Sequence, residues 1–233
     1  MRLAALLVAV LAGPATAVKT AIWSEHEPDD LSKGRFEQTV WTNLGQIRLG
    51  PQVQQVFSGR DDVGYVHSLA EGQDGTVYVG TGPEGVLLKV VGEAVSELFR
   101  APGGGNVWSL LISGGKVLAG VDGTAATIYA VDPASGKGEV FFRPAGARYV
   151  WAMVQGEDGT VYAATGPAGK LFAIQPDGTG RVIYARKGES LLSLAIDRRG
   201  RLLIGTGGEG LVIRLEPATG KSFVLYDAAE QEI

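Results

Sequence analysis

Residues 150–166 read VWAMVQGEDGTVYAATG, and three other stretches of the chain follow the same pattern. They are VHSLAEGQDGTVYVGTG from Val66, VWSLLISGGKVLAGVDG from Val107 and LLSLAIDRRGRLLIGTG from Leu191, so their starts lie 41, 43 and 41 residues apart. Each stretch consists of an apolar run, a glycine-containing turn and a second apolar run. Asp-Gly and Gly-Gly between apolar runs strongly favour a β-hairpin. The pattern therefore predicts a repeat whose unit is built from strands.

Two further strands complete each unit. They are predicted at Val86–Val91, Thr127–Val131, Lys170–Ile174 and Leu211–Leu215, and at Ser96–Phe99, Glu139–Phe142, Arg181–Tyr184 and Ser222–Tyr226. Four antiparallel strands in about 40–45 residues are typical of a β-propeller blade. We therefore expect an all-β fold, a β-propeller of four-stranded antiparallel blades. Its four complete blades are predicted at 66–106, 107–149, 150–190 and 191–232, with parts of flanking blades on either side.

Partial repeat units precede the first complete blade and follow the last one. Gln52–Phe57 resembles a fourth strand, and Ile233 falls at the first position of a fifth unit. A propeller closes its ring, usually with about 4–8 blades. The sequence thus predicts an N-terminal piece of a longer propeller, or a partner that supplies the missing blades. Closure of a four-bladed ring by residues 52–228 alone is the alternative.

The first 17 residues have the features of a signal peptide. Arg2 is followed by the apolar run Leu3–Ala12 and by Ala15-Thr16-Ala17, which is an A-x-A cleavage site. The apolar run is shorter than the ~20 residues of a membrane-spanning helix. The sequence therefore predicts export to a periplasm or the medium, with no membrane span after cleavage; an uncleaved N-terminal anchor is the alternative. Residues 18–50 form a lead-in in which Phe36–Trp41 and Ile47–Leu49 read as a hairpin.

Composition excludes several classes of function. The formal net charge is −4 and no cluster of Lys and Arg occurs, which argues against a nucleic-acid partner. The absence of Cys excludes disulfides and thiolate metal sites. The 35 glycines indicate many tight turns.

Two glycine motifs imitate a dinucleotide-binding loop. GTGPEG at 80–85 and GTGGEG at 205–210 both spell G-x-G-x-x-G. Such a loop must open a helix, whereas LVIRLE after Gly210 reads as a strand. ATGKS at 218–222 imitates the end of a P-loop but is also followed by a strand. We interpret all three as turns, and no cofactor is predicted.

The blade sequence VWAMVQGEDGTVYAATGPAGKLFAIQPDGTGRVIYARKG at 150–188 resembles exported bacterial β-propellers of the broad WD40/YVTN/NHL-like group. DDLSKGRFEQTVWTNLGQIRLGP at 29–51 is similar to the lead-in of large exported bacterial propeller proteins. VDPASGKGEVFF and LEPATGKSFVLY resemble PQQ-like repeats, but the terminal Trp of that repeat is replaced, which argues against quinone binding. The resemblance implies the fold; related propellers include lactonase-like and streptogramin-lyase-like enzymes as well as binding proteins.

No catalytic set is visible. His26 lies in the lead-in, His67 aligns with Trp108 and Trp151 of other blades, and no G-x-S-x-G motif occurs. Asp74 and Asp158 fall in hairpin turns, where Asp serves the backbone. No metal site is predicted, although a weak Ca²⁺ site built from loop acids such as Asp61-Asp62 is an alternative.

Binding is the favoured function, because loops at the mouth of a propeller present a concave surface. The alternative for the two tryptophans is packing between blades. The candidate ligand-binding residues are His67, Glu84, Trp108, Asp122, Arg148, Tyr149, Trp151 and Glu209. We expect a scaffold that binds a protein or small-molecule ligand. The alternatives are a lactonase- or lyase-like enzyme with active-site residues partly in missing blades, and a structural subunit of an envelope complex.

Overall fold

A computed structural model describes residues 39–42, 44, 46–50, 55–58 and 60–230. The chain divides into two compact units, the first ending at Gln54 and the second beginning at Gln55. In the first unit, β1 (Thr39–Trp41) pairs antiparallel with β2 (Ile47–Leu49), which confirms this part of the predicted hairpin. The predicted signal peptide and Ile233 lie outside the described residues.

The second unit consists of four antiparallel sheets of four strands each, in which neighbours in sequence are neighbours in the sheet. Blade 1 comprises β3 (Val63–Glu71), β4 (Val77–Pro83), β5 (Val86–Val91) and β6 (Ala94–Arg100); blade 2 comprises β7 (Val107–Ser113), β8 (Lys116–Val121), β9 (Thr127–Val131) and β10 (Gly138–Phe142). Blade 3 comprises β11 (Tyr149–Gln155), β12 (Val161–Gly166), β13 (Lys170–Ile174) and β14 (Gly180–Ala185); blade 4 comprises β15 (Ser190–Ile196), β16 (Leu202–Gly207), β17 (Leu211–Leu215) and β18 (Ser222–Asp227).

The first strands of successive blades lie against one another: β3 contacts β7, β7 contacts β11, and β11 contacts β15. These four strands are therefore the innermost strands of a β-propeller, and the predicted all-β fold is confirmed. The described residues contain no α-helix. Of the additional strand expected at Gln52–Phe57, residues 52–54 lie outside the described ranges and Gln55–Phe57 form no strand.

Apolar packing between blades explains the long apolar runs of the sequence. Val117 packs in the cluster between blades 1 and 2, whereas the next residue, Leu118, packs in the cluster between blades 2 and 3. Ala163 and Ala164 divide in the same way between the clusters on the two sides of blade 3. Successive side chains of a strand point to opposite faces, so a sheet covered on both faces is apolar at consecutive positions.

In blades 2 to 4, one apolar residue at the start of the inner strand packs against the preceding blade. Val107, Val150 and Leu191 are at most 1% exposed, whereas Val66, at the same repeat position in blade 1, is 53% exposed. The carbonyl of Val150 accepts a hydrogen bond from Ser109 Oγ at 2.8 Å, and that of Val107 accepts the equivalent bond from Ser68 in blade 1 at 3.0 Å. These contacts join neighbouring blades at their inner strands.

The turns follow the sequence prediction. Asp74 Oδ1 accepts a hydrogen bond from the backbone N–H of Thr76, and Asp158 does the same for Thr160. These bonds hold the pKa of both carboxyls below its usual range. In GTGGEG, the first three residues end β16 (Leu202–Gly207), and the last three form the turn into β17 (Leu211–Leu215), so the motif connects two strands and does not open a helix, as predicted.

Candidate functional site

A β-bulge recurs near the start of every inner strand. In blade 1, Val66 lies opposite Thr81 and Ser68 lies opposite Gly80, so His67 has no residue opposite it. The same register shift leaves out one residue in each of the other blades. The bulged residues are His67, Trp108, Trp151 and Leu192. A bulge re-aims a side chain relative to the regular alternation of the strand, and none of the four bulged residues belongs to the three described apolar clusters.

The bulged residues of blades 1 to 3 lie in one aromatic cluster. The ring centroids of His67 and Trp108 are 4.1 Å apart, and those of Trp108 and Trp151 are 4.9 Å apart. Tyr149 stacks on Trp151 at 4.7 Å with an angle of 24° between the rings, and Tyr65 stacks on His67 at 5.9 Å. We call Tyr65, His67, Trp108, Tyr149 and Trp151 the aromatic cluster.

A chain of hydrogen bonds orients two members of the cluster. Trp108 Nε1 donates to Asp122 Oδ2 at 3.0 Å, and the side-chain amide of Asn106 donates to the same oxygen at 2.9 Å. The amide orientation of Asn106 leaves its Oδ1 as an acceptor, which lies 3.1 Å from His67 Nε2. His67 Nε2 is then the donor of this bond, and His67 Nδ1 is the second polar atom of the ring. Asp122 also accepts a bond from the backbone N–H of Asn106 at 2.6 Å.

Glycine at the end of the second strand makes room for the bulged side chains. A Cβ atom on Gly166 would lie 2.5 Å from Trp151 Nε1, and a Cβ on Gly207 would lie 2.9 Å from Leu192 Cδ1. A Cβ on Gly82 would lie 3.0 Å from His67 Nε2. Blade 2 has Asp122 at this repeat position, and the carboxylate binds the Trp108 indole as described above.

Six of the eight predicted site residues lie together. His67, Trp108, Tyr149 and Trp151 belong to the aromatic cluster, Asp122 binds Trp108, and the Arg148 guanidinium lies 5.4 Å from the Tyr149 ring centroid. Both indoles are partly buried, and neither belongs to the three described clusters between blades. The two indoles nevertheless contact each other across blades 2 and 3, with their ring centroids 4.9 Å apart.

The other two predicted residues lie elsewhere among the described contacts. Glu84 is exposed and pairs through its backbone with Gly105. Glu209 is exposed and forms an ion pair with Arg186, whose Nε donates to Glu189 Oε1 at 2.7 Å. No contact joins Glu84 or Glu209 to the aromatic cluster among the residues that the structure describes.

Three neighbouring residues were missed by the sequence analysis. Tyr65, Asn106 and Ser190 each precede the apolar residue that starts the repeat, as Tyr149 does. The structure places Tyr65 against His67 and Asn106 between His67 and Asp122. Comparison of this one position across the four repeats would have identified all of them.

Several acidic side chains away from the cluster form ion pairs. Asp62 and Glu97 form a four-membered network with Arg60 and Arg100 at 2.5–2.9 Å. The hydrogen bond from Arg60, followed by that from Arg100, holds the pKa of the Asp62 carboxyl well below its usual range. Within the described ranges, no three His, Asp or Glu side chains converge as a metal ion would require. The same residues include no helix suited to crossing a bilayer.

A groove of about 600 Å³ lies between blades 3 and 4, but at the opposite end of the inner strands. Its walls include the hairpin after β11 and the hairpin after β15. Charges of both signs line it, among them Glu157, Arg181 and Arg199. The bulges and the aromatic cluster lie near the starts of the same strands, so this groove is separate from the candidate site.

Solved structures similar to this chain are β-propeller proteins. A catalytically inactive variant of virginiamycin B lyase from Staphylococcus aureus, solved with quinupristin, matches with a TM-score of 0.63 and 15% identity, over 72% of this chain and 57% of that one. The selenomethionine-substituted lyase matches with a TM-score of 0.64 and 12% identity, over 82% and 63%. A protein of unknown function from Bacteroides caccae matches with a TM-score of 0.52 and 18% identity, over 70% and 60%.

These likenesses show the fold alone, because the identities are low. The chain spans less than two thirds of the length of each of these three proteins. No protein-family model matches the sequence, and no curated protein matches it significantly.

Proposed function

We propose that the protein is an exported β-propeller scaffold that binds a ligand or a protein partner through the aromatic cluster. The observation that carries the proposal is the recurring bulge, which places His67, Trp108 and Trp151 outside the three described apolar clusters and against one another. Aromatic residues on a half-exposed surface supply large contact areas at a low cost in conformational entropy. Such a surface suits a planar or apolar ligand group.

Binding of simple planar probes tests the proposal. Titration of the full chain with 2-naphthalenemethanol and 2-naphthoate, followed by calorimetry, is expected to give saturable binding. Trp108→Leu with Trp151→Leu should abolish it, because Leu occupies the equivalent bulge of blade 4 at Leu192 and is therefore compatible with the fold. Phe223→Leu is the matched control, since Phe223 is an exposed aromatic residue on β18. Equal loss of binding in the control, or no binding to the wild type, contradicts the proposal.

A second candidate is a lyase-like enzyme, and His67 is the observation that favours it. Its Nε2 is held by Asn106, which in turn is held by Asp122, so the orientation of the ring and its tautomer are fixed. Nδ1 forms no hydrogen bond with any residue in the described part of the chain, so in this hypothesis it is the atom that accepts a proton from a bound substrate. Two of the structural neighbours are forms of virginiamycin B lyase, one of them solved with quinupristin.

Incubation with quinupristin tests this second candidate. The enzyme hypothesis predicts time-dependent loss of intact quinupristin on liquid chromatography, and loss of that activity in His67→Ala. If quinupristin stays intact at high protein concentration, the lyase candidate is wrong for this compound, and the scaffold proposal is unaffected.

A further inference from the structure

One contact recurs wherever two blades of this chain meet. An aliphatic residue at the start of an inner strand packs beside a small residue on the second strand of the preceding blade. A Cβ atom on Gly120, for example, would lie 2.9 Å from Val150 Cβ. All three aliphatic residues are at most 1% exposed. The pairs are Val107 with Gly80, Val150 with Gly120, and Leu191 with Ala164.

Blade 4 has a hollow at the position of the small residue. Gly205 lies opposite Ser193 in the strand register, as Gly80 lies opposite Ser68 in blade 1. A cavity of about 220 Å³ is lined by Gly205, Ser193 and Leu203, among others. We call this cavity the blade 4 socket. The inner strand of blade 4 is the last one among the described residues, so no aliphatic residue of a following blade fills the socket there.

The outer strand of blade 4 is apolar on the same side. Leu225 and Tyr226 occupy the repeat positions of Ile183 and Tyr184, which pack in the cluster between blades 3 and 4. Leu225 is 44% exposed and Tyr226 is 61% exposed. Blade 4 thus repeats the surface with which blade 3 receives its neighbour.

Blade 1 has the opposite feature, an aliphatic residue outside any described cluster. Val66 occupies the repeat position of Val107, yet it is 53% exposed. Leu69 is 65% exposed and occupies the repeat position of Leu194, which packs in the cluster between blades 3 and 4. A single exposed aliphatic residue needs no explanation. These two residues occupy the positions that pack one blade onto the preceding one elsewhere in the chain.

We propose that blade 1 of one copy of this chain docks on blade 4 of a second copy, with Val66 in the blade 4 socket. The docking repeats the contact that the chain makes three times internally, and it removes apolar surface of both blades from water. Two such contacts join two copies into one ring of eight blades, which lies within the usual range of about 4–8. A contact between two different surfaces gives a closed assembly when the rotation between copies closes. This inference goes beyond ligand binding and does not depend on it.

Sedimentation equilibrium over a series of protein concentrations tests the proposal. We expect the mass to rise to that of two chains. Val66→Asp should restore the mass of one chain at every concentration, because an unpaired carboxylate in an apolar socket is strongly unfavourable. Val91→Asp is the matched control, since Val91 is 54% exposed at the end of β5 and should leave the association unchanged. Circular dichroism checks that both variants fold as the wild type does.

Cross-linking locates the contact itself. The chain contains no Cys, so introduced thiols are the only ones. A Val66→Cys chain mixed with a larger, tagged Gly205→Cys chain should form a mixed disulfide dimer on oxidation. The equivalent Cβ atoms at Gly120 and Val150 would lie 2.9 Å apart, close to the ~3.8 Å of a disulfide. Val91→Cys mixed with Gly205→Cys should give none.

Three results would overturn the proposal. They are a single-chain mass at every concentration, a dimer that survives Val66→Asp, and an open series of larger oligomers. A chain carrying both Val66→Cys and Gly205→Cys that forms its disulfide within one chain would also overturn it, since the four blades would then close on themselves. Stability measurements on Val66 variants belong at concentrations where the chain is a monomer, because association buries this side chain and adds to stability.

Discussion

Val150 and Val66 occupy the same repeat position, and the same substitution should have very different costs at the two sites. Val150 is fully buried between blades 2 and 3, whereas Val66 is 53% exposed. Val→Ala removes two methyl groups, each worth about 0.8 kcal/mol when fully buried. An unfilled cavity adds to this. We therefore expect Val150→Ala to lower the free energy of unfolding by about 2 kcal/mol and Val66→Ala by less than about 0.8 kcal/mol.

Urea denaturation monitored by circular dichroism measures this difference. With a slope near 2 kcal/mol per molar urea for a chain of this size, Val150→Ala should move the midpoint down by about 1 M, and Val66→Ala by less than about 0.4 M. Val107→Ala, at a site 1% exposed, should behave as Val150→Ala does. Equal shifts for Val66→Ala and Val150→Ala would refute the face-to-face packing of the blades.

Three further predictions follow from the fold and the sequence. Gly120→Ala should cost about 1–3 kcal/mol of stability by overpacking, because its Cβ would lie 2.9 Å from the Cβ of Val150; the urea midpoint reports it. The hydrogen bond from Arg201 lowers the pKa of Asp197 from 3.8 to about 2, so this contribution to stability is complete above pH 4 and is lost as the pH falls towards 2. Urea midpoints of Asp197→Asn should therefore fall less over that range. We predict that the first 17 residues are a cleaved signal peptide, so N-terminal sequencing of protein recovered from the periplasm or the medium should begin at Val18.

Each of these has its own control. Gly92→Ala is the counterpart of Gly120→Ala with open space around the new Cβ, although its positive φ of 60° adds strain; a larger loss there than at Gly120 would argue against overpacking. Arg201→Ala removes the hydrogen-bond donor and leaves the Asp197 carboxyl in place, so it should weaken the dependence on acid as Asp197→Asn does. A first residue of Met1 in the exported protein would contradict cleavage.

The repeat made most of the fold predictable. Strands such as Thr127–Val131 and Lys170–Ile174 were predicted with the bounds that the structure shows. The reason is physical: one unit recurs four times, so a turn that is ambiguous in one blade is clear in another. The inner strands were predicted less well, since β3 begins at Val63 and not at Val66.

The candidate site was predictable only in part. The aromatic types at positions 108, 149 and 151 indicated a surface, and the structure brings these residues together. The bulge itself was not predictable, because it is a property of the register between two strands, and a single sequence does not specify register. Glu84 and Glu209 were grouped with the site from their loops alone, but a loop position does not determine where a long side chain finds its partner.

At each bulge, residues that hold neighbouring blades together directly flank a residue that does not. Val107 and Ser109, on either side of Trp108, join neighbouring blades, so substitutions there affect folding. Substitutions at the bulged residue between them do not alter these contacts between blades. Evolution of this fold can therefore exchange imidazole, indole or an aliphatic group at one position per blade and change the side chains beside the inner strands, without a new core.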